Sequence, residues 1–256
     1  MNVIATARPS STTADEWTIR CDLAALYRLV AHYRWTDFVY THISARLPGP
    51  DDHFLINPYG VNFHQMRASD LVKIDTDGRA IDADGQSRRV NAAGFTIHSA
   101  IHMARHDLTC VVHTHTAAGI AVSAQKQGLL PISQHALKFY GRLGYHGYEG
   151  IALDLDERDR LVKDLGPHKA MILQNHGLLM GGTSIPEAFH MTYMLERACQ
   201  AQVAALSGGA ELITPPDDVC RHTAEQFRKQ ENDDHYGMIW NAALQLIEND
   251  APDYRE

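Results

Sequence analysis

The chain has 256 residues, 45% hydrophobic and 21% charged, which is enough to bury one large core or two small ones and places it within the ordinary globular range. A net charge of −8, with no basic run longer than residues 87–89, argues against nucleic acid as the main partner, because a phosphate-binding surface needs clustered Lys and Arg. No apolar stretch approaches the roughly 18–20 residues of a membrane span, so no membrane partner is expected.

The N-terminal "MNVIATARPSSTTADEW" lacks the long apolar segment of a signal peptide, and an acidic pair, Asp15 and Glu16, follows its single arginine. Residues 1–14 are expected to form a mobile polar arm, and residues 15–256 one domain, since no internal repeat or low-complexity linker interrupts them. A helix is predicted over 15–33, with Leu23, Leu26, Leu29 and Val30 at helical spacing. "VYTHISARL" and "HFLINPYG" read as strands separated by the turn-rich "PGPDD", and "LVKIDTDG" as a third strand ending in an Asp-Gly turn. "NAAGFTIHSAIHMARH" is helical, with Asn91 as its expected cap.

"LTCVVHTH" follows as a short β-branched strand, and "TAAGIAVSA" as a helix of small residues. "QHALKFYGRLGYHGYEG" reads as irregular and aromatic, residues 155–165 as a charged helix, "KAMILQNH" as a strand and "GLLMGG" as a glycine-rich turn. The longest helix opens on Ser184 with Pro186 in its first turn and closes on Gly208 and Gly209. One or two further helices complete the chain. Irregular alternation with hairpin-like pairs predicts an α/β fold, a three-layer α/β/α sandwich around a largely antiparallel sheet. The four cysteines are scattered without C-x-x-C spacing, which fits reduced thiols in a cytoplasmic protein.

Histidine is the compositional outlier, with sixteen residues. In "VVHTHTAAG" the pair His113 and His115 ends an apolar strand; side chains two apart share a face, about 7 Å from one another, which suits convergence on one ion. "MILQNHGLL" repeats the pattern with His176, an apolar run ending in histidine, then glycine. Three neutral imidazoles with an open position form a catalytic metal arrangement, whereas closed structural sites use four protein ligands, usually with cysteine. A rival pair, His98 and His102, stands at the zincin spacing on one helical face, but Ser99 occupies the place of the zincin glutamate. These two are expected to pack behind the strand.

The ordered segments "THISARLPG", "LINPYG", "DLVKIDTDG", "NAAGFTIHSAIHMARHDLTCVVHTHT", "YEGIAL", "NHGLLMGG" and "EAFHMTYMLERACQAQ" resemble the class II aldolase/adducin family over about residues 23–205. The resemblance implies a divalent metal (zinc first, manganese or iron as alternatives) on His113, His115 and His176, and a homotetramer with sites near subunit boundaries. It also implies substrate contacts at His42, Ser44, Asn57, Gly60 and Gly94.

The match breaks where the sugar-phosphate aldolases of the family carry a Ser-Ser-Glu-like segment, here Ala92, Ala93 and Gly94, and where their phosphate loop reads Thr41, His42, Ile43 and Ser44. Phosphate recognition needs several donors converging on one anion, so a small-molecule substrate without phosphate is expected, a carboxylate or a phenol beside an oxidised carbon. Proton-transfer candidates are His135, Tyr140, Tyr145, His146 and Tyr148, with Tyr148 and His135 preferred. Glu149 and Glu196 are the carboxylates to watch, the latter expected to be structural. The leading expectation is a metal-dependent carbon–carbon lyase of the aldolase or decarboxylase type. A non-haem iron oxygenase on the same fold and a non-enzymatic adducin-like interaction module are the alternatives.

Overall fold

The computed structural model describes residues 12–49, 51–81, 89–152, 154–249 and 252–256, with only the backbone at Ala93. Residues 1–11 of the expected arm lie outside these, as do residues 87 and 88 of the short basic run. The remainder of the expected arm belongs to the fold: Thr13 accepts a hydrogen bond from the Glu16 amide and caps α1 (Ala14–His32).

Seven strands form one sheet: β1 (His42–Arg46), β2 (Phe54–Ile56), β3 (Val72–Ile74), β4 (Cys110–Thr114), β5 (Leu143–His146), β6 (Ala170–Leu173) and β7 (Gly177–Gly182), in the order β3-β2-β1-β4-β7-β6-β5. Every pairing is antiparallel except β5 with β6. Helices α2 (Ala92–Ala104) and α5 (Glu157–Leu165) cover one face. Helices α1, α3 (Ala117–Ser123), α6 (Ile185–Ser207) and α8 (Asp233–Glu248) cover the other, with α4 (Gln134–Leu137) and α7 (Asp217–Gln230) at its margin. This is the predicted α/β/α sandwich.

The two-residue period of the strands sorts the side chains. Ile43, Ala45, Cys110, Val112, Ile172, Leu178 and Met180 join α1, α6 and α8 in the main core. Val111, Met171, Leu173 and Leu179 turn to the opposite face, against Ile97, Ala100 and Ile101 of α2 and Leu161 and Leu165 of α5. His42, Ser44 and His113 share that second parity, so the polar residues of the middle strands face α2, which presents His98 and His102.

Two readings of the sequence are corrected. "GLLMGG" is not a turn: it is β7, buried along its whole length between β4 and β6. Its glycines answer to close packing, for a Cβ on Gly182 would lie 2.5 Å from the Ala188 amide nitrogen where α6 crosses the sheet. The aromatic segment from residue 134 is not wholly irregular, since it contains α4 and β5. Strand β5 is short and, among the described residues, pairs only with β6, so little alternation marks it.

Candidate metal centre

His113 stands on β4, and its Nδ1 donates to the Leu178 carbonyl of β7 at 2.9 Å. His115 lies one residue beyond the strand. Thr116 turns the chain there by capping α3 (Gly119 amide to Thr116 Oγ1, 3.0 Å) and by donating to Glu196 Oε2 at 2.6 Å. His115 Nε2 lies 2.8 Å from His113 Nε2, so two rings spaced apart along the chain converge at their tips. His176 follows Asn175, whose φ of +56° makes the sharp β6–β7 connection, and its Nε2 lies 3.0 Å from that of His115. The ligand atoms of all three fall within 4.8 Å of one another.

The hydrogen bonds assign the tautomers. His113 Nδ1 faces a carbonyl and His115 Nδ1 faces Asp37 Oδ2 at 3.0 Å, so each ring spends its N–H outward and turns a bare Nε2 lone pair inward. Lone pairs crowded at this distance repel unless a cation lies among them, so the donor set fits a divalent metal. Burial, reinforced by the neighbouring histidines, holds His113 well below its ordinary pKa. Burial and then His115 lower His176 to about 4. Both are therefore neutral near pH 7, the form that binds metal.

Behind the triad runs a file of buried polar groups. His42 Nδ1 lies 2.8 Å from His98 Nε2, and Ser44 Oγ bridges His98 Nδ1 at 2.5 Å and His102 Nε2 at 2.7 Å. The His42 ring also faces that of His113, with centroids 5.0 Å apart. Desolvation keeps His42 and His98 far below their ordinary pKa and lowers His102 to about 3. Gly94 is what admits the His42 ring: a Cβ at that position would stand 2.5 Å from His42 Cδ2.

A cavity of about 470 Å³ opens over the triad. Its walls include Asp37, Tyr40, His42, Tyr59, Tyr148 and Asn175, and the Tyr148 ring is centred 6.5 Å from that of His176. Of the other expected site residues, Ser44 is sealed behind the wall, and Asn57 is tied inside the fold, its Oδ1 accepting from Tyr27 Oη at 2.8 Å. Gly60 (φ +97°) makes the turn beside Tyr59 without lining the cavity. His135 does not reach the site, because α4 packs against α6 and α7 away from the cavity. Tyr140 donates to Asp217, the Tyr145 hydroxyl accepts from the Leu129 amide, and His146 is held between Glu157 and Asp164. Glu149 pairs with Arg160, while Glu196 holds Thr116.

Sequence reasoning missed Asp37, Tyr40, Tyr59, Asn91 and Asn175. The last carried a signal, since an Asn before His-Gly suits a left-handed turn. Asp37 carried none: it sits in a loop bent by Arg34 (φ +59°) and Phe38 (φ +48°), residues that rarely adopt such angles.

Residues 21–203 match the model of the class II aldolase and adducin N-terminal domain. The chain belongs to the class II aldolase and adducin family. A solved aldolase II superfamily protein from Pseudomonas syringae is 54% identical and superposes with a TM-score of 0.92 over 96% of this chain and 98% of that one. The L-fuculose 1-phosphate aldolase of Glaciozyma antarctica is 30% identical, with a TM-score of 0.83 over 98% and 97% of the two chains. Alpha-adducin of Rattus norvegicus is 47% identical over 193 residues, 75% of this chain and 26% of the adducin.

Proposed function

We propose that this class II aldolase-family protein is a metal-dependent carbon–carbon lyase, of aldolase or decarboxylase type, acting on a non-phosphorylated small molecule. The observation that carries the reading is the convergence of three imidazoles, two of them tethered outward, at the floor of an open cavity. A cation held there supplies Lewis acidity, polarising a substrate oxygen and stabilising the carbanion or enolate left by bond cleavage.

The chain's own residues supply orientation and proton handling. The Leu178 carbonyl and Asp37 fix two of the rings, and Asn175 aims the third. Tyr148, which lines the cavity with its ring centred 6.5 Å from that of His176, is the proposed proton-exchanging group. His42 closes the inner wall, occupying the space beside Gly94 where the aldolase resemblance places a carboxylate. Zinc suits three imidazoles with an open fourth position; manganese and iron are the alternatives. We further propose a homotetramer located in the cytoplasm, a compartment that keeps thiols such as Cys21, Cys110, Cys199 and Cys220 reduced.

The likeness to alpha-adducin favours a second reading, a binding module without turnover. Elemental analysis of protein purified without added metal separates the readings, together with a screen for aldehyde or carbon dioxide release. His113→Ala should lose both metal and turnover. Turnover that persists in a metal-free His113→Ala protein would refute the lyase. Cleavage of L-fuculose 1-phosphate at the rate of a dedicated sugar-phosphate aldolase would refute the non-phosphorylated substrate. Bound iron with oxygen consumption would instead support an oxygenase.

A further inference from the structure

The wall of the cavity above the histidines is apolar where a sugar-phosphate site needs charge. Tyr40, Tyr59, Ile120, Tyr148 and Ile151 all line it, and they remain between 40% and 73% exposed. Phe38, next to Asp37 and held at φ +48°, is 67% exposed. Single exposed apolar residues need no explanation, but several around one concavity mark a binding surface. Among the described lining residues there is no lysine or arginine. The one carboxylate, Asp37, is engaged with His115, and the remaining polar groups are Asn91, Asn175, the tyrosine hydroxyls and the histidines.

A phosphate at the far end of a substrate would meet hydrocarbon and phenol walls, with none of the charge-assisted donors that hold such a dianion. An aromatic ring or branched alkyl group would cover the same walls and remove their apolar surface from water. The volume of about 470 Å³ falls among pockets that enclose a drug-sized ligand.

We propose that this site selects substrates with an aromatic or branched hydrocarbon body and two vicinal oxygens at one end. The body lies against Tyr59, Ile120, Tyr148 and Ile151, and the oxygens face His113, His115 and His176. This rests on the metal-dependent reading above and narrows its substrate to a class.

Three probes with the same α-hydroxycarboxylate head and different bodies test it: mandelate (phenyl), lactate (methyl) and 3-phosphoglycerate (phosphooxymethyl). Each is titrated into cobalt-loaded protein and followed by the visible absorption of the ion. Mandelate should bind at least about tenfold more tightly than lactate, the equivalent of 1.4 kcal/mol, and 3-phosphoglycerate no more tightly than lactate. Ile151→Ser and Ile120→Ser should each reduce the mandelate advantage over lactate about threefold.

Equal affinities for the three probes, or tightest binding of 3-phosphoglycerate, on a protein that holds cobalt, would overturn this substrate class and leave the metal reading intact. A protein that binds no cobalt would overturn both. Equal affinities combined with a lower mass for Ile151→Asp in light scattering would assign these side chains to a boundary between copies of the chain, again overturning the substrate class.

Discussion

Gly94→Ala tests whether the glycine exists to make room for His42. An alanine Cβ would lie 2.5 Å from His42 Cδ2 and 2.8 Å from its Cγ and Nε2, against the ordinary 3.5–4.0 Å of carbon contacts, so the ring must retreat by about 1 Å. It has nowhere easy to go, being buried, bonded to His98 at 2.8 Å and tilted against the His113 ring with centroids 5.0 Å apart. Overpacking of this kind costs about 1–3 kcal/mol. Loss of the buried His42–His98 hydrogen bond adds about 1 kcal/mol, and the greater helix preference of alanine in the first turn of α2 returns up to about 1 kcal/mol.

The net expectation is a destabilisation of about 1–3 kcal/mol, read by urea unfolding of the metal-free protein. In a His42→Ala background the obstacle is gone, so the same substitution should be neutral or stabilising by up to about 1 kcal/mol. The coupling between the two sites should therefore reach about 2 kcal/mol. A Gly94→Ala protein that is more stable than the parent, or one that loses the same stability in both backgrounds, would refute the steric account.

Asp37→Asn should weaken metal binding about 10- to 100-fold in competition with a chromogenic chelator, because the amide no longer anchors His115 Nδ1 as an anion; unchanged affinity would remove Asp37 from the site. Glu187→Ala should cost about 3 kcal/mol in urea unfolding. The buried carboxylate accepts from Lys169 Nζ at 2.7 Å and from the Thr183 amide at 2.7 Å, although Lys169 can rehydrate in part. Stability should also fall in acid. His190 is pushed down to about 4 from its ordinary 6.5 by burial and then by Lys138, so the unfolded chain takes up its proton first. The contribution is complete above pH 6.5 and is lost as the pH falls toward 4, up to about 3 kcal/mol, and His190→Gln should flatten that part of the profile.

The histidine triad was legible because each ligand closes an apolar run, a local pattern that survives folding. The convergence of the first two was legible as well, although the strand ends at Thr114 and Thr116 already caps α3, so His115 stands just beyond the strand rather than on it. The inward packing of His98 and His102 followed from their shared helical face. His135 misled because nothing in its neighbourhood states which side of a one-turn helix the cavity lies on. Strand β7 was hidden by the glycines that let α6 and the sheet approach, a requirement set by residues distant in sequence. Asp37 depends on left-handed angles at Arg34 and Phe38, for which those residue types give no cue.

The imidazoles of His115 and His176 meet across 61 residues of chain, and Asp37 joins them from 78 residues upstream of His115. A cation gripped at that junction would act as a cross-link between distant loops as well as supplying the proposed chemistry. At a free ion concentration a thousandfold above its dissociation constant, it adds about 4 kcal/mol to the folded state. Chelation should therefore do more than silence chemistry: it should loosen the segments around residues 37 and 176 together and expose them to proteases that ignore the loaded protein.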